Sequence, residues 1–194
     1  MHYVAQPQSC RDCTLNGKTM KILNTPLTRG QIQNLTAGDE IMLSGVIYTA
    51  RDQAHKRLVR DIGKGKELPF VINSAIVYYC GPTKAPKGKI IGSCGPTTSS
   101  RMDEFTLPLL KKGLKGMIGK GRRSKEVIAA IKKYKAVYFL APAGCGALLA
   151  KFVKRASVIA YRDLGPEKVL RLEVKDFPLI VGIDSMGGSI YGKD

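Results

Sequence analysis

The chain has 194 residues, 44% of them hydrophobic, which is the size and apolar content of one ordinary domain with its own core. Its 32 lysines and arginines against 15 acidic residues give a formal net charge of +17, a surface that attracts nucleic acid, membrane headgroups, acidic proteins or small anionic substrates. Collagen-like, coiled-coil and broadly disordered classes are excluded by composition, and the best apolar run, residues 136–150, is cut by Pro142, Gly144 and Gly146 before it could span a bilayer.

Residues 1–19 are polar and without clear periodicity, and a second methionine, Met20, follows them. They read as a flexible N-terminal extension, with Met20 as an alternative start and residues 20–194 as a single domain. No basic-then-apolar leader is present, so the chain is expected to be soluble and cytoplasmic. Residues 39–48 read as a strand and 51–62 as a helix closed by Gly63 and Gly65. Residues 71–79 and 89–93 are further strands. A Gly-Pro-Thr-Thr turn then leads into a helix near 102–112, which Pro108 should disturb. A short strand is expected at 115–118. Ser124 is a good N-cap for a helix at 125–133, whose Val127, Ile128, Ile131 and Tyr134 share one face. A strand at 136–140, a helix at 147–155 and strands at 157–161, 169–174 and 179–183 complete the chain. The middle therefore runs β-α-β-α-β-α-β, an α/β pattern whose short Val/Ile-rich strands suit a central, largely parallel sheet; the flanking strands are expected to form a second, smaller sheet.

The five cysteines, Cys10, Cys13, Cys80, Cys94 and Cys145, are odd in number and scattered, which argues for reduced thiols rather than a disulfide framework. Cys10 and Cys13 have metal-ligand spacing but no second pair, so no metal site is expected on this chain. The loop Gly119-Lys120-Gly121-Arg122-Arg123-Ser124 lacks Walker A spacing, and Ala143-Gly144-Cys145-Gly146 lacks the third glycine of a dinucleotide fingerprint. Neither a Gly-x-Ser-x-Gly elbow nor a His-Glu-x-x-His helix occurs.

Two segments point to an anion site. Residues 90–103 run from a buried strand through a Gly-Pro turn to the hydroxyls of Thr97, Thr98, Ser99 and Ser100, then Arg101. Such a turn directs free N–H groups and a helix start to the carboxyl edge of a sheet, where ligands of open α/β sheets bind. An arginine there could grip both oxygens of a carboxylate or phosphate; a plain helix cap is the alternative. Residues 49–57 repeat the layout. Arg51 opposes the helix dipole there, a conflict that a bound anion would remove, and His55 lies one turn on. Both could equally be solvated surface residues. Residues 111–135 hold ten basic residues and one acid, which keeps a basic nucleic-acid-binding protein as an alternative of another class. Against it, tryptophan is absent, aromatics are only 7% of the chain, and the aromatic RNA-recognition motif is missing, so no nucleic-acid partner is expected.

Taken together, residues 44–52 (Ser-Gly-Val-Ile-Tyr-Thr-Ala-Arg-Asp), 95–103 (Gly-Pro-Thr-Thr-Ser-Ser-Arg-Met-Asp) and 119–124 resemble the beta subunit of the two-subunit iron–sulfur hydro-lyases. That family comprises class I fumarate hydratase and L-tartrate dehydratase. Leu68-Pro69-Phe70, residues 133–139 and residues 176–181 are similar to it as well, and the likeness runs from about Met20 to Tyr191. Cys94 and Cys145 stand where the family would have small residues. The resemblance implies a three-layer swivelling β/β/α domain. It also implies an alpha subunit whose cysteines hold a [4Fe–4S] cluster, with an open iron acting on the substrate as a Lewis acid. An assembly of two alpha and two beta subunits is expected, with beta–beta self-association of the isolated chain. Carried over by motif, Arg51, Arg101 and Lys120 are expected to bind the carboxylates of a C4 diacid, with Thr98 beside them, and Thr97 to move the C3 proton. The implied activity is reversible hydration of fumarate to L-malate, with L-tartrate dehydration as the alternative. A free threonine hydroxyl is a very poor base, so that role needs a nearby cation or helix start.

Overall fold

Four parallel strands determine where the candidate site lies. β3 (Glu40–Thr49), β4 (Ile76–Tyr78), β5 (Gly116–Gly119) and β6 (Val137–Leu140) pair side by side in that order. Helices α2 (Asp52–Gly63), α3 (Asp103–Lys111) and α4 (Lys125–Tyr134) connect them in turn. This computed structural model describes residues 11–15 and 18–192. It is an α/β fold with a mixed sheet, and no helix among the described residues is long and apolar enough to cross a membrane.

Side chains alternate across the parallel strands, as the pleat requires. Val77, Tyr79, Met117 and Tyr138 pack with Leu58, Leu109, Leu110, Val127 and Ile131 of the helices. Ile76, Tyr78, Ile118, Val137 and Phe139 face the other way, into a second core with Leu23, Ile41, Leu43, Leu172, Phe177 and Val181. The strands are thus buried on both faces, which is why they read as continuous apolar runs.

That second core is covered by β2 (Lys18–Asn24), by parts of β3, and by β7 (Val153–Ala160) and β8 (Val169–Ile183). β8 runs antiparallel to β3, β6 and β7. The pairings β3–β4–β5–β6–β8–β3 therefore close on themselves, and the eight strands among the described residues form one hydrogen-bonded sheet. β1 (Arg11–Leu15) is its edge, antiparallel to β2.

Several expectations change. The flanking strands join the same sheet through β3 and β8 instead of standing apart. The N-terminal extension expected at residues 1–19 lies largely outside the described residues; β2 begins at Lys18 and pairs with β3. The strand expected at 71–79 is confined to Ile76–Tyr78, because Ser74 turns the chain at φ 62°. Residues 89–93 form no strand: Thr83 N–H bonds Ser93 O (3.0 Å), so the segment folds on its own loop while still burying Ile91. The helix expected at 147–155 stops after α5 (Gly146–Leu149) and one 3-10 turn, because β7 claims Val153 onward as partner to β8. The two strands expected at 169–174 and 179–183 are one, continuous through Pro178 opposite Met42. A short helix, α1 (Arg29–Gln33), was not anticipated, although Thr28 and Gln31 spell its capping box. The Cys10–Cys13 pair lies partly outside the described residues, since only Cys13 falls in β1.

Candidate functional site

The carboxyl ends of β3, β4 and β5 meet at one edge. Ala50 N–H, just past β3, donates to Tyr78 O (3.0 Å), and Thr97 N–H donates to Tyr79 O (2.7 Å). Two separate turns are thereby pinned beside the end of β4. Thr98 forms a parallel bridge with Lys120, the residue after β5, and Ser99 N–H donates to Lys120 O (3.0 Å). Arg51, Thr97, Thr98, Arg101 and Lys120 consequently share one edge, although 69 positions separate the first from the last. Open α/β sheets bind ligands at this edge.

Arg51 is the N-cap of α2 and makes no side-chain capping bond. Asp52, the first residue of that helix, lies between the two arginines. Its Oδ1 is 2.8 Å from Arg101 Nη2, and its Oδ2 is 3.6 Å from Arg51 Nη2. Glu167 Oε1 approaches Arg51 from the other side at 3.7 Å, while its Oε2 accepts from Gln53 N–H (2.8 Å). Asp52 and Glu167 offset part of the conflict between Arg51 and the helix dipole. Gly81 allows this arrangement, because a Cβ there would lie 2.8 Å from Arg51 Cδ. Arg51 Nε and Asp52 Oδ2 are buried without a hydrogen-bond partner, so the pair keeps unused donor and acceptor capacity. Half of the Arg101 side-chain surface is open to solvent.

His55, read from sequence as one face with Arg51 or as a surface residue, is fully buried. Burial lowers its pKa from 6.5 to about 4, so the ring is neutral; Nδ1–H donates to Arg51 O (2.9 Å), holding the helix start from inside. The turn before Thr97 is anchored in the same way, since Tyr78 hydroxyl donates to Cys94 O (2.5 Å). A hydrogen bond with Cys94, together with burial, pushes the Cys80 thiol far above its ordinary range, so Cys80 is no thiolate nucleophile.

The sequence pointed to the cations at this edge, but not to the carboxylates beside them. Asp52 could have been found, because an acid is favoured in a first helical turn. Glu167 carried no local signal, since only the tertiary fold brings it to Arg51. Among the described residues no group of three or more His, Cys, Asp or Glu side chains is gathered to hold a metal ion, so they do not fit as the ligand set of a cluster. A cavity of about 590 Å³ lies between α4 and residues 186–192; Arg51, Thr97, Arg101 and Lys120 do not line it.

Comparison with known proteins adds the following. A family model described as Fumarase C-terminus matches residues 4–194, a longer stretch than the motifs alone suggested. A putative L(+)-tartrate dehydratase subunit beta of Methanocaldococcus jannaschii is 42% identical over 171 residues, covering 85% of this chain and 88% of that protein. The L(+)-tartrate dehydratase subunit beta of Escherichia coli is 34% identical, covering 90% and 88%. The anaerobic class I fumarate hydratase of Escherichia coli is 36% identical over 95% of this chain, which spans only 34% of that longer protein.

Proposed function

Because the chain belongs to the Fumarase C-terminus family, we propose that it is the beta subunit of a two-subunit hydro-lyase that hydrates fumarate reversibly to L-malate. The partner is an alpha subunit that carries the [4Fe–4S] cluster, in an assembly of two copies of each. Residues 20–194 serve as the hydro-lyase domain, a three-layer swivelling β/β/α unit. The separate cores on the two faces of the parallel strands support that reading.

The observation that carries the proposal is the shared edge, where Asp52 links Arg51 and Arg101 beside the Thr97 turn. Arg51, Arg101 and Lys120 neutralise and orient the two carboxylates of the substrate, with Thr98 at the rim. Hydration adds the hydroxide of a water molecule at C2 and a proton at C3, and the proton that this water gives up restores the Thr97 hydroxyl. Thr97 Oγ–H gives the C3 proton in that direction and takes it back in dehydration. Neighbouring cations stabilise the alkoxide that results, which is what makes so weak an acid usable. L-tartrate dehydration is the second reading; the near-full-length match to tartrate dehydratase beta subunits favours it.

The test is co-expression with the alpha subunit, anaerobic cluster reconstitution, and parallel assay on fumarate and L(+)-tartrate. The complex is expected to turn over one diacid and the isolated chain neither. Thr97→Ala is expected to lower kcat by at least about a hundredfold. Unchanged turnover in that variant would remove Thr97 from the chemistry.

A further inference from the structure

Behind the candidate site lies a charged group that the proposed reaction does not use. The Arg123 side chain has 0% exposure. Its Nε donates to Asp103 Oδ1 (2.6 Å) and its Nη2 to Thr106 Oγ1 (2.7 Å). The rings of Tyr138 and Tyr79 stand 5.0 and 5.4 Å from its guanidinium carbon. Burying an ion pair rarely adds stability over apolar residues of similar volume, so stability alone does not account for this arrangement.

Its connections do account for it. Asp103 lies two residues after Arg101, and its second oxygen accepts from Ser124 N–H (2.7 Å), four residues after Lys120. One carboxylate therefore ties the Thr97–Arg101 segment to the Lys120 loop, through the Arg123 side chain and the adjoining backbone. On the opposite side Lys120 N–H donates to Ser99 Oγ (3.0 Å), which lies 2.8 Å from Tyr138 hydroxyl. That hydroxyl also donates to Gly121 O (2.9 Å). Thr97 and Arg101 on one chain segment, and Lys120 on the other, are thus locked in register by groups that are wholly or mostly buried.

We infer that Arg123 and Asp103 are positioning residues, a buried ion pair that holds Thr97 and Arg101 against Lys120 in the geometry needed for proton transfer at the substrate. The inference rests on the site proposed above. Misplacing a reacting group by about an ångström can cost a factor of about 100 in rate. The pair therefore acts on kcat more than on KM, since the half-exposed Arg101 can still find a carboxylate after a small shift.

The reconstituted complex with the alpha subunit is assayed on fumarate and on L(+)-tartrate, comparing wild type, Arg123→Met, Asp103→Leu with Arg123→Met, and Thr97→Ala. Arg123→Met is expected to yield folded, assembled complex with kcat reduced about 100-fold and KM changed less than about threefold. Where the single variant does not fold, the double variant, which leaves no buried charge unpaired, takes its place. A lowered melting temperature with wild-type kcat per assembled complex would overturn the inference and leave a purely structural pair. Loss of activity in Thr97→Ala with no loss in the Arg123 variants overturns the positioning role alone. Full activity in Thr97→Ala overturns the site reading, and the inference with it.

Discussion

His55 and the two arginines show how much of the site depends on single side chains. In the unfolded chain His55 takes up a proton as pH falls through 6.5, whereas in the folded chain burial delays protonation to about 4. Between those values the unfolded state binds more protons, so stability is full above about pH 6.5 and falls as pH drops toward 4. The loss amounts to about 3 kcal/mol by linkage. Urea denaturation between pH 7.5 and 4 should show this slope. His55→Asn, which keeps a donor for Arg51 O, should flatten it. At Arg101 a planar fork meets Asp52 at 2.8 Å. Arg101→Lys keeps the charge but loses the paired donors, and kcat/KM of the assembled complex is expected to fall about 10- to 100-fold.

The helices and strands around the edge depend on caps and close approaches. Ser124 accepts from Val127 N–H (3.3 Å) at the start of α4, so Ser124→Ala should destabilise the chain by about 1 kcal/mol in thermal or urea melts. Gly119 is more constrained: a Cβ there would stand 1.9 Å from Ser99 Oγ and 2.9 Å from Tyr79 Cδ2. Gly119→Ala must therefore push β5 away from the Ser99 turn, costing about 1–3 kcal/mol by melts and displacing Lys120. The cap at Ser124 and the apolar stripe of α4 were legible, because both are local patterns with a fixed period. The fate of residues 89–93 was not. An apolar run signals burial, but whether it joins a ladder depends on a free neighbouring edge, and here Thr83 and Pro86 of the preceding loop supply the partners instead. Pro108 was expected to disturb α3, yet the helix continues through it to Lys111. The carbonyl that Pro108 leaves unpaired belongs to Glu104, an exposed residue open to water.

Across the whole molecule, β8 decides the architecture. It closes the ring of pairings, and its Phe177, 0% exposed, meets Tyr78 and Phe152 edge-on at 5.6 and 6.3 Å. Phe177→Ala is expected to cost about 3–5 kcal/mol in chemical denaturation, because the cavity would open between β4 and the strands that cover it.

The sequence by itself determined the β-α-β succession and the burial of the parallel strands, and its motifs named Arg51, Thr97, Thr98, Arg101 and Lys120 as candidates. Periodicity, turn chemistry and motif are all written within a few adjacent positions. Only the tertiary structure decided that the flanking strands complete one closed sheet, that Asp52 and Glu167 hold the arginines, and that Asp103 and Arg123 join the two site segments. Those relations arise between residues tens of positions apart. No local pattern encodes them, and they exist only once strand pairing has brought the carboxyl ends of β3, β4 and β5 together.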